Sequence, residues 1–284
     1  DENAHEWGNS FSAIFMTFFG FLGLFRSQYR NPMIRSASAL LVLNGFASFA
    51  YHWNRWNIYG QFDVFTMILS LYIGSVAAYD TILRQWIRRA RAYCGPCSCR
   101  IKSYCPCSAE KVYEIVLSLV ILFFMLLMTL SIGALSVTGM VIDFSSYFVL
   151  GQLFVILVLP LYFFAFPVGN NAEICTARKY IIAAICVGVT SGLLWFSTEM
   201  PCREHPWIAK METHMIWHFG ISYSMFMLIM VMQFFSNLEG NLQPSFETPA
   251  SDSSRWKKAY YFLLPSIINH ADVQHAHQSG IQLV

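Results

Sequence analysis

The chain has 284 residues, of which 56% are hydrophobic and only 12% charged, about half the charged share of an average soluble domain. A formal net charge of +2 is too small to attract nucleic acid, and no nucleic-acid partner is expected. The apolar residues fall in runs of roughly 17 to 25, the length a helix needs to cross about 30 Å of hydrocarbon, which argues against a soluble enzyme. Because these runs lack the alternation of barrel strands, the spans should be helices that satisfy their own backbone hydrogen bonds.

Seven spans are predicted in an all-α transmembrane bundle. An acidic stretch carrying Asp1, Glu2 and Glu6 leads into the first span, at about 10–25, which contains the Phe-rich run F-M-T-F-F-G-F-L-G-L-F. A connector with Arg26, Arg30 and Arg35 precedes the second span, at about 36–51, and the third follows at about 62–83. Between Arg84 and Lys111 lie five Arg and two Lys against one Glu, around the Cys-rich insert C-G-P-C-S-C-R-I-K-S-Y-C-P-C. The remaining spans are expected at about 112–135, 147–168, 180–197 and 213–235. Residues 1–236 thus form the transmembrane domain, 84–111 its basic connector, and 237–284 a polar tail. Within that tail, W-K-K-A-Y-Y-F-L-L-P reads as a short interfacial helix.

Lys and Arg favour the cytosolic side of membrane proteins. The connectors after spans one, three and five and the tail with Arg255, Lys257 and Lys258 are the basic ones, so the C-terminus is predicted cytosolic and the N-terminus lumenal or outside. On this topology His52, Asp63, His214 and His218 all fall at the lumenal face. Ser48 and His52 are four residues apart and share one helix face, and His214 and His218 repeat that spacing in H-M-I-W-H.

Three imidazoles from two segments make a nitrogen donor set with an open fourth position, the pattern of a catalytic zinc. A metal there lowers the pKa of water to about 7 and polarises a carbonyl. Asp63 is the candidate to take the water's proton, and Ser48 to hold the water or donate to the developing oxyanion. The implied reaction is hydrolysis of an amide or ester with an apolar tail. The bland alternative is a set of hydrogen-bonded interfacial histidines. The Ser-His spacing, the downstream Asp and the common depth favour the metal.

The set S-x-x-x-H, an Asp eleven residues on and a late H-x-x-x-H, carried on seven spans, resembles the CREST superfamily of membrane hydrolases, and within it the alkaline ceramidases. The segment E-W-G-N-S-F-S-A-I-F at 6–15 is similar to that family's Glu-x-x-Asn entry into its first span, and 44–72 and 211–225 share its texture. The resemblance implies zinc held by His52, His214 and His218, Ser48 and Asp63 as catalytic partners, and cleavage of ceramide to sphingosine and a fatty acid. It further implies membrane lipids as partners and an endomembrane (ER or Golgi) location. The chain departs from the family in its calcium loop. Glu2, Asn3, Glu6 and Asn9 supply only a partial version, which argues against calcium dependence. The family's N-terminal disulfide also lacks a partner, since Cys202 is present but no Cys precedes Cys94.

Two rival readings are a CREST-type hydrolase of another lipid and a non-catalytic accessory subunit of a larger membrane assembly. Cys94, Cys97, Cys99, Cys105 and Cys107 sit on the connector assigned to the cytosol, where lipidation, a structural zinc or an unmodified insertion are the alternatives to a disulfide. Cys175 and Cys186 are read as packing residues. Glu199 is read as lining the substrate entrance or as a solvated loop carboxylate.

Overall fold

The computed structural model describes residues 7–26, 31–54, 56–94, 107–138, 160–167, 171–199, 213–240, 242–247 and 253–269. The long helices are α1 (Trp7–Arg26), α2 (Pro32–Asn54), α3 (Asn57–Cys94), α4 (Cys107–Thr138), α5 (Ala172–Glu199) and α6 (Thr213–Glu239). They are followed by strand β1 (Pro244–Phe246), a short helix α7 (Arg255–Leu263) and strand β2 (Ile267–Asn269). Five of the described helices are long and apolar enough to cross a membrane: Trp7–Arg26, Pro32–Asn54, Ile58–Arg89, Ala172–Thr198 and Thr213–Glu239. Each extends past the apolar run that announced it, because the helix continues into the polar interface where water satisfies its ends. Most of the expected fifth span lies outside the described residues, with only 160–167 seen.

The bundle is built around α6, which packs against α1, α2, α3 and α5. Its apolar residues are buried nearly all round, with Phe226, Met227, Ile229, Met230, Phe234 and Phe235 fully inside, as expected of a central helix rather than a one-faced one. The outer helices expose apolar stripes instead. On α4, Val112, Ile115, Leu119, Leu122 and Leu126 recur at helical spacing and are each more than half exposed. On α1, Phe11, Phe18, Phe21 and Phe25 form a similar stripe, 40% to 82% exposed. Such stripes are tolerable only in a hydrocarbon solvent, and the chain is a membrane protein.

Lipid tails are as apolar as the helices, so association depends on close backbone approach and on polar contacts. A Cβ on Gly20 would stand 2.7 Å from the Val42 backbone nitrogen, and one on Gly45 2.5 Å from that of Thr17. This reciprocal pair lets α1 and α2 touch backbone to backbone. Gly45→Ala is expected to force them apart at a cost of about 1–3 kcal/mol, by overpacking. A lowered melting temperature in detergent is the readout, and an unchanged one would mean that the two helices are not held there. On the other side of α6, Gly188 faces Ser224 and Gly220 faces Ser191, and the Ser224 hydroxyl donates to the Ala184 carbonyl at 2.7 Å.

At one end of the bundle, polar groups tie the helices together. The Arg88 guanidinium meets Glu239 at 2.8 Å, joining α3 to α6, and Arg84 and the Tyr113 hydroxyl both bond Asp80, joining α3 to α4. Arg26 donates to the Leu264 carbonyl and the Tyr260 hydroxyl, securing α7 beside the end of α1. Helix α7 lies within the segment expected to form a short interfacial helix, with Trp256 86% exposed. The tail is not polar throughout. Strands β1 and β2 pair antiparallel, Phe246 opposite Ile267, and both side chains are buried, Phe246 against Tyr180 and Phe234. A second correction concerns Cys175 and Cys186, which are exposed rather than packed. A thiol is apolar enough to face lipid, so a cysteine in an apolar run carries no sign of which way it points.

Candidate metal centre

The opposite end of the bundle brings together the C-termini of α2 and α5 with the N-termini of α1, α3 and α6. Aromatic rings surround it: Trp7 meets Trp53 edge-on at 4.6 Å, and Trp56 stacks on Tyr59 at 5.7 Å. This is the composition of a membrane–water interface.

Inside the ring of aromatics, three histidines converge. His52 ends α2 and His218 sits in the second turn of α6, both buried, with half-buried His214 one turn earlier. Their ring centroids are 5.0 Å (His52–His214), 5.2 Å (His52–His218) and 4.6 Å (His214–His218) apart. One nitrogen from each lies within 4.8 Å of the others, a group that can hold a metal ion. The His214 and His218 Nε2 atoms are 3.1 Å apart, close to the separation of about 3.4 Å for two ligands of a tetrahedral zinc with Zn–N of 2.0–2.1 Å. The donor set therefore fits a zinc-type ion.

The hydrogen bonding of His218 suits it to that task. Ser12 on α1 gives its own hydroxyl proton to the Asn9 carbonyl at 2.9 Å, so toward His218 Nδ1, at 2.8 Å, its oxygen can only accept. The Asn9 carbonyl also lies 3.2 Å from Nδ1. The ring proton is thereby fixed on Nδ1, and Nε2 presents a bare lone pair to the site. Such outer partners orient ligating imidazoles, and their loss typically lowers metal affinity by about 10–100-fold. Ser12→Ala is expected to weaken zinc binding by about tenfold, at the low end because the Asn9 carbonyl remains. Chelator competition is the measurement, and equal affinity would remove Ser12 from the site.

Ser48 lies one turn before His52 on the same face of α2 and is fully buried. Its oxygen is beside the Asp63 carboxylate but forms no hydrogen bond of good geometry among the described residues. Asp63 is anchored by Asn44, whose Nδ2 donates to Oδ1 at 2.8 Å and to the Asp63 carbonyl at 2.9 Å. Asn44, Ser48 and His52 thus form a four-residue ladder along α2. The spacing of Asn44 was visible in the sequence but not read as part of the site. Trp195, on α5, was likewise unforeseen: its indole Nε1 donates to His214 Nδ1 at 3.2 Å.

All five residues expected at the centre are therefore in one neighbourhood. Of the partial calcium set, Asn9 meets His218 through its carbonyl, while Glu2, Asn3 and Glu6 lie outside the described residues. Cys97, Cys99 and Cys105 also lie outside them, as do the side chains of Cys94, Cys107 and Glu199. A family model described as Ceramidase matches residues 2–267 of the chain. No curated protein matches it.

Proposed function

The chain belongs to the ceramidase family, and on that premise we propose that it is a zinc-dependent intramembrane amidase hydrolysing ceramide to sphingosine and a fatty acid. The observation that carries this reading is the convergence of His52, His214 and His218 beside a buried hydroxyl and an anchored carboxylate. When bound, zinc supplies a water acidic enough to ionise near neutrality and a Lewis acid for the carbonyl.

The chain's own groups account for the rest of the reaction. With Asn44 occupying Oδ1 of Asp63, the carboxylate keeps a second oxygen to take a proton from the attacking water and return it to the departing amine. The Ser48 hydroxyl, buried beside the Asp63 carboxylate, is placed to donate to the oxyanion as it develops. The exposed Phe stripe of α1 and the apolar walls beside the site keep a lipid's chains in hydrocarbon while its amide reaches the polar end.

Seven spans, with the N-terminus and metal centre on the lumenal or outer side, complete the proposal. Its support is the contrast between an aromatic end bearing the histidines and a basic end with Arg26, Arg84, Arg88, Arg89 and Arg178. Fluorescent ceramide incubated with the purified full chain should release labelled fatty acid. Absence of turnover across pH, with and without calcium, would overturn the enzymatic reading.

A further inference from the structure

Helix α7 is nine residues long, and none of them is buried. Trp256, Tyr260, Phe262 and Leu263 all stand exposed on it. Trp256, Tyr260 and Leu263 recur at i, i+4 and i+7 and so form one face, with Arg255 and Lys257 at its two edges and Lys258 behind it. The helix contains no acidic residue.

A helix of this length does not hold in water by itself, and α7 is fixed by its neighbours. The Ser254 hydroxyl caps its first turn, accepting from the Lys257 amide at 3.3 Å. The Tyr261 hydroxyl donates to Glu247 at 3.1 Å, and the Phe262 ring meets Tyr180 of α5 at 5.7 Å. Arg26 lies over the Tyr260 ring at 5.1 Å and donates to the Tyr260 hydroxyl and the Leu264 carbonyl.

Arg26 gives this surface its place. It is the last residue of α1, a membrane-length helix, and Phe25 and Phe21 just before it are exposed and stacked at 6.0 Å. Those rings face hydrocarbon, so the Arg26 tie holds α7 at the depth where α1 leaves it. There the face of Trp256, Tyr260 and Leu263 meets the boundary between acyl chains and headgroups, the ordinary seat of Trp and Tyr. A zwitterionic headgroup would accept that face but leave three positive charges uncompensated. Glu247, the carboxylate that touches the helix, already accepts from Tyr261 and Ser266.

We propose that α7 is a docking surface for anionic phospholipid, taking headgroups along Arg255, Lys257 and Lys258 while its aromatic face enters the acyl-chain boundary. The topology proposed above sets this end of the bundle against the cytosolic leaflet, where such lipids gather. Docking also fastens the tail. Through Glu247 and Phe246 the strand pair carries the lipid contact to α5 and α6.

The test uses the purified full chain in phosphatidylcholine vesicles with a one-fifth share of lipid brominated on its acyl chains, either phosphatidylserine or phosphatidylcholine. Bromine quenches nearby indoles, and the contribution of Trp256 is obtained by subtracting the signal of a Trp256→Phe chain. Quenching of Trp256 is expected to be about threefold stronger with brominated phosphatidylserine, because each surface cation attracts anionic lipid. Molar salt, which cuts the reach of charge to about 3 Å, should erase that excess. The triple variant Arg255→Gln, Lys257→Gln, Lys258→Gln should melt like wild type and be quenched equally by the two lipids. Equal quenching of the wild type by both overturns the proposal, as does a triple variant that keeps the excess. A Trp256 quenched by neither lipid also overturns it, since water or another chain would then cover the face. If the triple variant does not fold, the salt series on wild type decides: loss of the excess supports anionic docking, and its persistence overturns it. Zinc content and ceramide turnover do not enter these readouts, so the outcome stands apart from that of the enzymatic reading.

Discussion

His218→Ala should abolish ceramide turnover, with a loss of about a thousandfold or more, because a metal held there would acidify a water that is otherwise far too weak an acid to ionise near neutrality. No other described residue can replace the ligand. The remaining histidines would be two nitrogens on different helices, and the partners that orient His218, buried Ser12 and the Asn9 carbonyl, would lose the ring they bond. Truncating a residue only 2% exposed also opens a cavity, so the melting temperature must be followed in parallel. Loss of bound zinc together with loss of activity, in a chain that still melts cooperatively, is the expected result. Retention of more than a tenth of wild-type turnover would show that the centre is not the catalyst.

Asp63→Asn should separate chemistry from folding more cleanly. The substitution is isosteric, and an Asn oxygen can still accept from Asn44 Nδ2 at the position where Oδ1 now sits, 2.8 Å away. The link between α2 and α3 is then kept, and with it the stability. What is lost is a group able to take a proton, and general-base catalysis is worth typically about 10²–10⁴-fold. The expected outcome is a fall in kcat of that size, with zinc content and melting temperature near those of wild type. Undiminished kcat would assign the proton to another group and reduce Asp63 to a helix tie.

Five membrane-length helices were legible from apolar run length because lipid imposes one solution on the backbone: a spanning run must be a helix, and its ends must reach the interface. The histidines were legible because imidazole is costly inside hydrocarbon and because four-residue spacing points two of them the same way. Asn44 carried the same signal, four residues before Ser48, but an amide near a helix middle has many structural uses. Ser12 and Trp195 gave no signal at all. A serine in the first turns of a helix and a tryptophan near an interface are ordinary, and only the approach of α1 and α5 to α6 turns one into an acceptor for His218 and the other into a donor to His214. Phe246 and Ile267 were hidden for a different reason. Each stands in a strand of three residues, too short for periodicity to register, and it is burial against α5 and α6 that gives them meaning.

The central position of α6 also dictates an order of events during synthesis. The ribosome delivers the chain from its N-terminus, so α1, α2, α3 and α5 enter the bilayer before the helix they all surround or flank has been translated. Until α6 arrives, His52 has neither of its two partner histidines. The three-histidine group is therefore complete only once α6 has been made. A chain stalled before residue 213 holds only one histidine of the group.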